Sequence, residues 1–198
     1  MHVAFVITRS DAMGGASVHV HDMACALKRS GHRATVIIGG QGGEVVRRLH
    51  ESQVRYMLVP QLVRAIHPWR NAAAVLAVRA AIARVKPDLV STHTAKAGLI
   101  GRIAAASLGI PAIYTPHGWT ITDRISGWSG PLFRLAERAA APLTARIINV
   151  CEAERELALE HGIARREKLD VVHNGVVDVP AALRAAPSQK EPRIVMVA

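Results

Sequence analysis

The sequence predicts an α/β domain, a Rossmann-like and mostly parallel sheet of about seven strands with helices on both faces. Three observations carry this expectation. Short apolar runs alternate with stretches of helical spacing along nearly the whole chain. The runs are continuous rather than alternating, as strands buried on both faces require. Glycine or proline punctuates the junctions between them.

Val3 to Ile7 reads as the first strand, followed by the turn Met13-Gly14-Gly15-Ala16. Val20, Met23, Ala24 and Leu27 recur at helical spacing, and Gly31 supplies the stop. Ala34 to Ile38 is the second strand, closed by a glycine-rich turn. A short helix over Glu44 to Glu51 and a strand over Arg55 to Val59 come next. Gln61 to Pro68 reads as a loop and Trp69 to Arg84 as a helix with alanine packing positions. Leu89 to Thr92, Ala112 to Thr115, Arg146 to Val150 and Leu169 to Val172 complete the strands. Helices over Ala95 to Leu108, Pro131 to Ala141 and from Cys151 to a stop at Gly162 lie between them. Glu154 is spaced to reach back as the acid of a capping box.

Composition narrows the function. A chain of 198 residues that is 50% hydrophobic and 20% charged has a sizeable buried core. Its net charge of +10 suits anionic lipid or a phosphorylated small molecule. Only 4% of residues are aromatic and no recognition motif accompanies the basic residues, which argues against nucleic acid. Cys25 and Cys151 lie far apart with neither a metal nor a redox spacing, as in a cytoplasmic protein. The N-terminus lacks a basic leader, and the best apolar stretch, Ala72 to Val85, is interrupted by Arg79 and Arg84.

Chemistry concentrates where strands end. Ile110 to Tyr114 runs into Thr115-Pro116-His117-Gly118-Trp119. Pro116 cannot donate to a sheet ladder, so His117 falls just past the carboxyl end of its strand, where open α/β sheets bind ligands. Gly118 removes a side chain where backbone or ligand comes close. Thr92-His93-Thr94-Ala95-Lys96-Ala97-Gly98 places His93 and Lys96 after the fourth strand, and Lys96 opposes the helix dipole unless an anion binds there. Gly14-Gly15-Ala16-Ser17 lacks the dinucleotide pattern, and no acidic residue ends the second strand, so a nicotinamide or flavin cofactor is not expected. The turn still offers amides at a helix N-terminus, suited to a phosphate. His173-Asn174-Gly175 follows the seventh strand at the same sheet edge.

Taken in order, the Gly14-Gly15-Ala16 turn, Lys86-Pro87-Asp88, the stretch from Thr92 to Gly98, Thr115 to Trp119, Glu137 in its helix, and Asn174-Gly175-Val176 before Asp178 resemble the N-terminal domain of a family-4 retaining glycosyltransferase of the GT-B fold. The flavour is that of enzymes building bacterial capsule, exopolysaccharide or lipopolysaccharide. The resemblance implies a two-domain enzyme whose N-terminal half binds the acceptor. Its C-terminal half binds a nucleotide sugar and carries a Glu-x7-Glu motif. It also implies that Gly14, Gly15, Ser17, His93, Lys96, Gly118 and Asn174 bind substrate. His117 would contact the transferred sugar. The donor is a substrate rather than a cofactor, and no metal is expected. Ser17 and His173 depart from the family's usual pattern, which has an acidic or polar residue and a proline at those places.

On this reading residues 1–178 form the acceptor domain, 179–192 a linker, and Arg193 to Ala198 the first strand of a second, donor-binding domain, so that the fragment alone is inactive. A sugar-nucleotide epimerase of the same fold and a non-catalytic anion-binding module are the competing expectations. The expected partners are a nucleotide sugar, a glycan or lipid-linked acceptor and an anionic membrane surface. The last rests on Trp128, Leu132, Phe133 and Leu135 beside Arg124, Arg134, Arg138 and Arg146. Such a protein would sit at the inner face of the membrane. In the helix Pro131 to Ala141 the arginines should face solvent or pair with Glu137, while the segment from Trp119 to Gly130 should meet the membrane.

Overall fold

The computed structural model describes residues 1–63, 68–121 and 129–175, together with 178, 180, 181 and 184. The strands are β1 His2–Ile7, β2 Arg33–Gly39, β3 Arg55–Val59, β4 Leu89–His93, β5 Ala112–Thr115, β6 Arg146–Asn149 and β7 Leu169–Val171. The helices are α1 Gly15–Arg29, α2 Glu44–Glu51, α3 Pro68–Val85, α4 Ala95–Ala106, α5 Gly130–Ala140 and α6 Glu152–Glu160. All seven strands are parallel, in the order β3-β2-β1-β4-β5-β6-β7.

Strand β1 shows why the apolar runs are continuous. Val3, Phe5 and Ile7 pack into one core with Val20 and Ala24 of α1 and Val45 and Leu49 of α2. Ala4 and Val6 point the other way, into a core with Val78 and Ile82 of α3 and Ile100 and Ala104 of α4. Alternate side chains of a strand leave opposite faces, so a strand buried on both must be apolar throughout. A third cluster joins Tyr114, Trp119 and Ile147 to Ala158 of α6 and Leu169 of β7.

Helix α4 ends at Ala106, two residues before the expected Leu108, because the N–H groups of Leu108 and Ile110 both bond to the Ala105 carbonyl and Gly109 takes φ +68°. Glu154 does reach back, but its carboxylate accepts from the N–H of Val150, one residue before the cap position Cys151. Helix α4 also lies unusually close to the sheet. A Cβ on Gly98 would stand 2.3 Å from Cε2 of Tyr114, so only glycine fits there.

Candidate functional site

The strand order places β1 beside β4, the point at which the winding of the chain reverses direction. Helices leave this point toward opposite faces and open a crevice at the carboxyl ends of the strands. His93 is the last residue of β4 and is 1% exposed. Its Nε2 lies 2.9 Å from Ser91 Oγ, and its Nδ1 lies 2.9 Å from Nε2 of His117. His117 follows Pro116 with φ +54°, a left-handed conformation that turns its ring back over the edge. His19, in the second turn of α1, completes the group, with its ring centroid 4.9 Å from that of His117 and 5.6 Å from that of His93. The side chain of Asn174 lies close enough to His19 to raise the pKa of that ring.

Burial dominates the electrostatics of these rings. It drives the pKa of His93 well below the ordinary imidazole range, with further lowering from His117 and His19. His117 is pulled down to about 4, by burial first and by His19 second. Burial lowers His19 too, against the opposing effects of Asn174 and Asp22. Near neutral pH the edge therefore presents uncharged imidazoles, each with one donor and one acceptor nitrogen.

The other expected site residues fall on a neighbouring wall. A cleft of about 700 Å³ is lined by Gly14, Gly15 and Ser17 from the start of α1, by Thr94 and Lys96 from the start of α4, and by Leu132 and Phe133 of α5. Neither Gly14 nor Gly15 has a positive φ or a neighbour within 4 Å of an added Cβ, so only the open cleft uses their bare backbone. Partial burial pulls Lys96 below the usual ammonium value. Gly118 has φ +105° and open space around it. Thr94, the cap residue of α4, has φ +67° and ψ 159°, a region β-branched residues almost never enter. It joins the two walls, its N–H bonded to the Thr115 carbonyl and its hydroxyl 3.5 Å from that of Thr8.

The structure thus brings His93, His117 and Asn174 together through His19, and gathers Gly14, Gly15, Ser17 and Lys96 in the cleft. Sequence reading missed His19. Its signal was the four-residue spacing from Gly15, which puts both on one face of α1. The pairing expected in α5 is corrected. Glu137 is buried and binds Arg102 of α4 at 2.7 Å, while Arg134 donates to the Ile121 carbonyl and Arg138 to that of His161. Leu132 and Leu135 are the outward residues, at 65% and 63% exposure. Trp119 is corrected too. It is 3% exposed and donates to Asn149 Oδ1 and the Glu154 carbonyl, so it does not face a membrane. Arg124, Trp128 and the strand expected at residues 193–198 lie outside the described residues.

A Rossmann-like sheet with a polar site at its switch point is the class of α/β domain whose ligands bind outside the carboxyl ends of the strands. The chain belongs to the Glycosyl transferase 4-like domain family, which it matches over residues 14–175. It is 28% identical over 141 residues to the Escherichia coli UDP-Gal:alpha-D-GlcNAc-diphosphoundecaprenol alpha-1,3-galactosyltransferase, covering 71% of this chain and 36% of that protein. Among solved structures it resembles Anabaena HepE in complex with UDP-glucose, with TM-score 0.65, 20% identity, and coverage of 89% of this chain and 44% of that one. It also resembles the UDP-GlcNAc 2-epimerase of Neisseria meningitidis bound to UDP-GlcNAc, with TM-score 0.64, 15% identity, and coverage of 86% and 46%. These structural likenesses establish the GT-B type of fold. The chain spans less than half the length of each of these relatives.

Proposed function

We propose that this chain is the acceptor-side domain of a retaining glycosyltransferase that moves a sugar from a UDP-sugar to a glycan or lipid-linked acceptor in cell-surface polysaccharide synthesis. The observation that carries the reading is the polar edge formed by His93, His117 and Asn174 at the switch point of a chain that belongs to this family.

Glycosyl transfer passes through an oxocarbenium-like state with a departing diphosphate, and positioned donors stabilise it. His117 contacts the transferred sugar as a neutral donor whose tautomer is set by His93. The amides of Gly14 and Gly15 and the Lys96 ammonium serve anionic oxygens at the cleft wall. The donor nucleotide is held mainly by a second domain, across a linker at 179–192, so the 198-residue chain alone turns over no sugar.

A lipid-diphosphate acceptor, of the kind named for the Escherichia coli relative, places the work at the cytoplasmic leaflet. No helix among the described residues is long and apolar enough to cross a membrane. The exposed Leu132 and Leu135 support peripheral attachment through α5. The test is a screen of the full-length gene product against UDP-sugars, with and without lipid-diphosphate acceptors. Acceptor-dependent release of UDP supports the reading. Epimerised free sugar without acceptor would replace it with the epimerase reading, and His117→Ala should cut the transferase signal by about 10²–10³.

A further inference from the structure

His19, His93 and His117 each bring one ring nitrogen into a group whose members all lie within 4.8 Å of one another. Tetrahedral coordination by imidazole at about 2.0–2.1 Å sets ligand nitrogens about 3.3 Å apart, so the group must draw in by up to about 1.5 Å to share one ion, through movement of the partly buried His19 and His117. The rings come from three separately anchored places: the second turn of α1, the end of β4 and the turn after β5. We propose that they form a binding site for a divalent transition-metal ion of the zinc, nickel or copper class.

The surroundings have the form such a site requires. A ligating imidazole needs its outer nitrogen held, and Ser91 Oγ holds Nε2 of His93 while Nδ1 faces the other rings. The set contains no carboxylate, which selects against magnesium and calcium and for the borderline metals. His19 and His117 are only partly buried, so an ion enters from the sheet edge and keeps one position open to solvent or ligand. Of the two rings now sharing a hydrogen bond, the donor moves its proton to its other nitrogen as the ion enters. The exchange needs no net loss of a proton. The site stands on this geometry alone. Under the proposed function, the ion and the transferred sugar compete for His117.

The test uses the 198-residue protein stripped of metal with a chelator and titrated with Co2+ at neutral pH. Visible d–d bands should saturate at one ion per chain, vanish on addition of Zn2+ and persist in millimolar Mg2+. His19→Gln, at a partly exposed helix position, and His117→Asn should each weaken binding by about tenfold or more, with unchanged circular dichroism. His21→Ala should leave it intact, since His21 bonds Ser52 and Asp22 outside the cluster. No d–d absorbance, or binding unchanged in both cluster variants, would overturn the proposal and leave the rings bonded only to one another. Binding lost with His21 would overturn it equally, by locating the ion at His21 and the nearby Cys25 thiol.

Discussion

Arg102 and Glu137 form an ion pair at 2.7 Å between α4 and α5, with side chains 0% and 7% exposed. The guanidinium also stacks 4.0 Å over the Tyr114 ring, whose hydroxyl donates to the same carboxylate at 3.1 Å. Removing one partner leaves a charge buried without its counter-ion. Glu137→Ala should therefore destabilise the domain by about 3–5 kcal/mol in urea unfolding. The double variant Arg102→Met/Glu137→Leu should recover most of that loss. A single variant within about 1 kcal/mol of the parent would show that α5 does not depend on the pair.

Two kinds of glycine are separated by a substitution pair. Gly98→Ala drives a methyl group into Tyr114 and should cost about 1–3 kcal/mol. Gly15→Ala meets no atom within 4 Å at a helix start and should leave stability unchanged. In the full-length enzyme Gly15→Ala should nevertheless cut turnover, by narrowing the cleft. Full turnover by Gly15→Ala would remove the first turn from substrate binding.

His117→Asn keeps a residue tolerant of left-handed φ while removing the imidazole. Turnover of the full-length enzyme should fall by about 10²–10³, the usual cost of a lost transition-state donor, with the unfolding midpoint nearly unchanged. Near-parental turnover would reduce His117 to a strand-end residue.

The folded pKa of His117 lies near 4, below the ordinary 6.5. The unfolded chain therefore takes up this proton first as pH falls. The associated stability is complete above about pH 6.5 and is lost as pH drops toward 4, a change of the order of 2–3 kcal/mol. Burial of His93 and His19 acts in the same direction. Urea midpoints measured with chelator should fall across this window, and more shallowly for His117→Asn. A flat profile would mean that the rings are solvated.

Vesicle attachment should depend on Leu132 and Leu135 more than on Arg134, which is tied to the Ile121 carbonyl. Each basic residue near an anionic leaflet contributes about 1 kcal/mol, so the attachment should also be released by salt. Leu132→Ser/Leu135→Ser should lower cosedimentation with anionic vesicles at low salt. Undiminished cosedimentation would place the contact away from α5.

The sheet was legible because β1 and most of β2 are apolar on both faces and recur between helical stretches. The position of His117 was legible because Pro116 ends β5. The role of α5 was not. Its leucines and arginines read as an ordinary amphipathic helix, and only the position of Arg102 shows that Glu137 is the buried residue while the leucines turn outward. His19 was missed although its four-residue spacing from Gly15 marks their shared helix face, because that spacing does not tell what its ring meets. The two walls of the site come from residues about 75–100 positions apart, and their convergence is a property of the strand order rather than of any spacing in the chain.

The ring of Trp119 meets that of Tyr114 edge-on at 5.8 Å, two residues beyond His117. This gives the domain an internal fluorophore beside its reactive edge. Trp69 is 82% exposed and emits as a solvated indole, so Trp69→Phe together with Trp128→Phe leaves Trp119 as the one indole of the chain. The blue-shifted emission of Trp119 then reports events at the edge in real time. Ligand binding becomes measurable by light on the bare domain, before any donor, acceptor or partner domain has been identified.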